Sequence, residues 1–87
     1  MKTIEREVLI RNKQGLHARP AAVFVQLANK FDSIITVKKD SQEVNGKSIM
    51  GVLMLAAERG SSITIIAQGP DAQEAVEQLI TLVSKDE

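Results

Sequence analysis

Between Ile10 and Pro20 the apolar period of this chain changes from two to about 3.6. Over residues 3–10 the side chains alternate. Ile4, Arg6, Val8 and Ile10 share one face, and Glu5, Glu7 and Leu9 share the other, which predicts a strand. From Ala21 onward the apolar residues are Phe24, Val25, Ala28 and Phe31, the spacing of a helix over about residues 18–30. Pro20 marks its first turn, because proline fixes φ near the helical value and has no N–H to leave unpaired. Gly15 gives the intervening loop its backbone freedom.

The rest of the chain continues the alternation. Residues 34–38 form a β-branched strand and 42–44 a brief partner, joined by the turn signal Lys39-Asp40-Ser41. Ser48 reads as the N-cap of a short helix to about residue 57, with Gly60 as its glycine stop. Residues 62–68 alternate again. Asp71 with Glu74 reads as a capping box, or Pro70 as the first helical residue, for a last helix to about residue 84. That helix buries Ala72, Ala75, Val76, Leu79, Ile80 and Val83, and residues 85–87 form a loose tail. The order βαββαβα predicts an α+β fold, a four-stranded antiparallel sheet with three helices on one face, as a single domain over residues 1–87.

The short helix is unusual. Ile49, Met50, Val52, Leu53, Met54, Leu55, Ala56 and Ala57 leave it almost no polar side. A helix on a small domain buries one stripe, so either the surplus forms an exposed apolar patch suited to a protein partner or the domain tucks it inward.

Eleven basic and eleven acidic residues balance to zero, which does not suggest nucleic-acid binding. Both aromatics, Phe24 and Phe31, fall on the buried helical stripe and leave no base-stacking platform. There is no cysteine, hence no disulfide framework or thiol chemistry. The first residues are too polar for a signal peptide and no apolar run reaches membrane-spanning length, so the expectation is a cytoplasmic chain with no membrane association. From Val8 to Phe31 there is no acid, whereas Arg11, Lys13, Arg19 and Lys30 are basic. This region favours phosphate or an acidic protein face.

His17, the single histidine, lies within it, just before the predicted helix start. Unpaired backbone N–H groups and the helix dipole favour negative charge there. Imidazole can take a phosphoryl group and give it up again. Arg19 adds a forked donor suited to phosphate oxygens. A histidine at that position can equally be a simple surface or capping residue. A metal centre is not expected, because no second histidine or cysteine shares the ion, and no cofactor is implied.

The string Gly15-Leu16-His17-Ala18-Arg19-Pro20-Ala21-Ala22 resembles the active-site signature of HPr, the histidine phosphocarrier family of the bacterial sugar phosphotransferase system. Residues 44–53, Val-Asn-Gly-Lys-Ser-Ile-Met-Gly-Val-Leu, resemble that family's regulatory-serine region. The resemblance covers nearly the whole chain and implies an open-faced β-sandwich. It implies that His17 accepts a phosphoryl group on Nδ1 from phosphorylated enzyme I and passes it to enzyme IIA domains for sugar uptake. By similarity, Arg19 stabilises that group, and the backbone N–H groups of Ala18 and Arg19 hold it. Ala22, Ile49, Met50 and Leu53 would form the docking surface. Ser48 would be the phosphoserine of an HPr kinase/phosphorylase, recruiting a transcription regulator. Such a chain is a carrier with a covalent phosphohistidine rather than a stand-alone enzyme, and a monomer that exchanges partners. The alternatives are an HPr-like regulatory binding module and a member of a nitrogen-related relay. Many family members carry serine or asparagine before the loop glycine to order the histidine; here Gln14 stands there.

Overall fold

The computed structural model describes residues 2–85. Met1 and the expected loose tail at Asp86 and Glu87 lie outside the described residues. The elements run β1 Thr3–Leu9, α1 Ala18–Ala28, β2 Ile34–Lys39, β3 Gln42–Asn45, α2 Ile49–Met54, β4 Ser62–Gln68 and α3 Ala72–Ser84. This is the predicted βαββαβα order. The strands lie in the order β1-β4-β2-β3, and every pairing is antiparallel.

Register explains which face is buried. Ile4, Ala67 and Ile35 lie in one row across the sheet, and Arg6, Ile65 and Val37 in the next. Ile35, Val37, Ile63, Ile65 and Ala67 are buried beneath the helices with Phe24, Val52, Val76 and Leu79. Alternate residues along each strand point to the other face, which no helix covers. Phe31 joins the core as its helical spacing predicts, whereas Val25 and Ile80 are half-buried at its margin.

The strand ends fall within one residue of the sequence expectation, and three helix ends differ from it. α1 stops at Ala28 rather than residue 30, because Lys30 N–H bonds Leu27 C=O, a tighter i to i+3 closure after the last regular bond from Asn29 to Val25. α2 stops at Met54 rather than near residue 57. Ala56, at φ 48°, takes the left-handed turn. Gly60, at φ 90°, instead shapes the turn into β4, where its N–H donates to Ile10 C=O over 2.9 Å.

The third difference is at α3. Asp71 is its N-cap residue by position, but its side chain makes no capping bond, and Pro70 lies outside the helix. The carboxylate instead accepts from Ser33 Oγ (2.6 Å), Ser33 N–H (3.0 Å) and Asp32 N–H (2.9 Å). It thus ties the chain after α1 to the start of α3 and satisfies the fully buried Ser33. The Ser33 hydroxyl bond, followed by the Asp32 N–H, holds the Asp71 carboxyl below the usual carboxylate range.

Candidate functional site

His17 is the N-cap of α1, with extended backbone (φ −105°, ψ 166°), and its side chain is exposed and makes no capping bond. The first regular bond of the helix runs from Ala21 N–H to His17 C=O at 3.1 Å. Pro20 has no N–H. The N–H groups of Ala18 and Arg19 therefore precede the helical ladder, beside the imidazole. The Arg19 side chain is exposed, and among the described residues no hydrogen bond or ion pair engages it. His17, Ala18 and Arg19 thus occupy consecutive positions at one helix end. Ala18 has φ 25°, which L-residues rarely adopt and which costs on the order of 1–3 kcal/mol.

The loop before His17 is held from several sides. Ile10 N–H donates to Ser61 C=O (2.8 Å) and Arg11 N–H to Val83 C=O (3.0 Å), fixing its base. Gly15, at φ 64°, turns the chain, and a Cβ there would stand 2.5 Å from Ala57 O and 2.8 Å from Glu58 Cα. Leu16 N–H donates to Ala57 C=O at 2.7 Å, and its side chain is buried. The side chain that orders the loop is Asn12, whose Oδ1 accepts Gln14 N–H at 2.9 Å. Gln14 contributes that N–H, while its own exposed amide makes no hydrogen bond among the described residues. Sequence reasoning looked to the residue before the glycine; the signal for Asn12 was the Asx-turn tendency of asparagine two residues before an N–H that needs a partner.

Ser48 caps α2, its Oγ accepting Gly51 N–H at 3.2 Å. The turn before it is tied to the far end of α1. Lys47 Nζ donates to Phe31 C=O at 2.6 Å, and Asn29 Nδ2 donates to Lys47 C=O at 3.2 Å. Of the two readings left open for this segment, part of each holds: Ile49, Met50, Leu53 and Met54 are exposed, Met50 at 66% and Met54 at 65%, while Val52, Leu55 and Ala57 are buried. Ala22 is half-buried on α1, which packs against α2. Met54 and the exposed Val23 of α1 were not among the residues expected to dock, because the extent of each exposed face is set by tertiary packing. Among the described residues no cluster of histidine, cysteine and carboxylate side chains could hold a metal ion, and no helix is long and apolar enough to cross a membrane.

The fold and the site define a small α+β protein with a histidine and an arginine at a helix N-terminus and an exposed apolar helix. The model of the PTS HPr component phosphorylation site matches residues 4–85, and the chain belongs to the HPr family. It is 52% identical over 83 residues to HPr-like protein Crh of Halalkalibacterium halodurans, covering 95% of this chain and 99% of that one. The crystal structure of phosphocarrier protein HPr from Bacillus anthracis superposes with a TM-score of 0.93 at 48% identity, covering 95% of this chain and 99% of that one. Crh of Bacillus subtilis, a catabolite-repression protein solved as a dimer with a swapped domain, gives a TM-score of 0.77 at 49% identity, with 95% of each chain covered.

Proposed function

We propose that this chain is a phosphocarrier of the phosphotransferase system. His17 Nδ1 attacks the phosphorus of phosphorylated enzyme I; a new N–P bond forms as the donor's phosphoryl bond breaks. The reverse exchange delivers the group to an enzyme IIA domain. The observation that carries this reading is the position of His17: exposed, at the start of α1, beside the two N–H groups that precede the helical ladder. Those groups and the Arg19 guanidinium are available to developing charge on the phosphoryl oxygens, so the chain contributes positioning and electrostatics.

Ala22, Ile49, Met50 and Leu53 supply the partner surface, and a carrier that must release each partner suits a small interface. Ser48 is the regulatory phosphorylation site in this proposal, addressed by an HPr kinase/phosphorylase and read by a transcription regulator. A phosphate there adds about −1.5 to −2 charge next to the exposed apolar residues. The whole chain works as one domain, as a cytoplasmic monomer.

A second reading, a regulatory module acting by partner binding, is favoured by the 52% identity to a relative named HPr-like protein Crh. The presence of His17 supports the carrier. The two are separated by mass spectrometry after mixing the chain with enzyme I and phosphoenolpyruvate. The carrier gains one acid-labile phosphoryl group that His17→Ala does not. A folded parent that gains none is a binding module or belongs to another relay. Light scattering before and after transfer separates a monomer from a swapped dimer.

A further inference from the structure

The uncovered face of the sheet has a composition that phosphoryl transfer does not use. Its central row reads Glu5, Ile66, Thr36 and Asn45, and the adjacent row Glu7, Thr64, Lys38 and Glu43. On the other side of the central row, Ile34 pairs with Gln68. Ile34 is 62% exposed and lies diagonal to the half-buried Ile66, which places the two apolar residues next to each other near the middle of this face. A groove of about 460 Å³ opens beside it, lined in part by Ile34, Thr36, Glu43, Asn45 and Lys47.

The charges around that centre lean acidic. Glu5, Glu7 and Glu43 are exposed carboxylates on this face. Its one cation within the strands, Lys38, sits 3.9 Å from Glu43. Lys47 reaches the groove, but its amino group donates to Phe31 C=O. Glu5 and Glu7 face Ile66 and Thr64 across the strand pair, so neither is paired directly with a cation, and Glu7 shares a groove with Lys38 and Lys39. The acid-free stretch around His17 has the opposite sign.

We propose that the open sheet face is a second docking surface, for a basic protein segment carrying at least one apolar side chain. The apolar residue seats against Ile34 and Ile66, and lysines or arginines meet Glu5, Glu7 and Glu43. An apolar centre with a charged rim is the usual anatomy of a small protein interface. The surface is formed by the strands and leaves His17, Arg19 and α2 free, so it works whether or not His17 is phosphorylated.

The test is a nitrogen-15 NMR titration with a short capped peptide of lysine and leucine, beside a peptide in which glutamate replaces lysine. The surface predicts saturable shifts at Glu5, Ile34, Thr36, Glu43 and Ile66 with the basic peptide alone. Salt should weaken binding. The variant combining Ile34→Ser, Glu5→Gln and Glu43→Gln should bind about tenfold more weakly or worse. Glu74→Gln with Glu77→Gln, on exposed positions of α3, and His17→Ala should bind like the parent. Shifts centred on α3, equal binding by the acidic peptide, undiminished binding by the folded triple variant, or no binding overturn the proposal.

Discussion

The N–H of Leu16 donates to the carbonyl of Ala57 over 2.7 Å, joining the residue before His17 to the segment that leaves α2. The loop that presents the histidine and the helix that presents the apolar patch are therefore placed relative to each other by main chain. Side-chain changes on either surface leave that spacing intact, and changes that push the two strands of backbone apart disturb both.

Gly15→Ala is such a change. The new Cβ meets Ala57 O at 2.5 Å and the backbone must hold φ 64°. The expected loss is on the order of 1–3 kcal/mol in urea unfolding, together with slower phosphorylation by enzyme I. An unchanged unfolding midpoint and rate would show that the loop does not need this close approach.

Arg19→Gln removes a charged donor from the helix end while leaving its exposed surroundings in place. Phosphoryl transfer should slow by about a hundredfold, with Arg19→Lys recovering part of the rate. Rapid-quench kinetics at two salt concentrations measures this. Equal rates for all three proteins would remove Arg19 from the transfer step.

Ser48→Ala removes the oxygen that accepts Gly51 N–H at 3.2 Å. A loss of about 1 kcal/mol is expected, and Ser48→Asp should retain most of the cap. Urea titration with a constant m-value checks the first point. Incubation with HPr kinase checks the regulatory role, since a variant modified as well as the parent places the phosphoserine elsewhere.

Met54→Ser tests the part of the apolar patch that sequence reasoning omitted. Stability should change by less than about 0.5 kcal/mol, because the side chain is 65% exposed. Affinity for enzyme I, read by calorimetry, should fall. Unchanged affinity leaves docking to Ala22, Ile49, Met50 and Leu53.

Asp71 gives the fold an acid-sensitive contact. Its folded pKa is lowered from the ordinary 3.8, chiefly by the Ser33 hydroxyl and then by Asp32 N–H. The unfolded chain therefore binds that proton first as pH falls. The stabilisation is fully present above the ordinary value and is lost as pH drops through the lowered one. Asp71→Asn should be less stable than the parent near neutrality, and the two curves should converge in acid. Parallel curves down to the lowest pH would mean the carboxylate contributes nothing.

The fold was legible because its signals are local and mutually consistent. The period of two in β1 and β4, the helical spacing of Ala21, Phe24 and Ala28, and the Pro20 and Ser48 starts point to the same order of elements. His17 and Arg19 could be placed at a helix end for the same reason. Helix stops were less legible. Gly60 is the better left-handed residue in isolation, yet Ala56 takes that conformation ahead of the buried Ala57, whose carbonyl holds Leu16. Asp71 followed by Glu74 has the pattern of a capping box, but the carboxylate turns to Ser33, a partner far away in sequence. Single-sequence patterns do not encode such distant contacts.

The pairing of β1 with β4 also has a consequence for the order of assembly. Thr3 pairs with Gln68 and Leu9 with Ser62, so the first strand of the fold finds its partner more than fifty residues further along the chain. Such distant pairing makes closure slow relative to the α1 helix and the β2–β3 hairpin, which form from neighbouring residues. Until residues 57–61 have been made, the bonds from Ile10 to Ser61 and from Leu16 to Ala57 cannot form. A nascent or truncated chain that lacks residues 57–68 thus carries His17 without the frame that presents it.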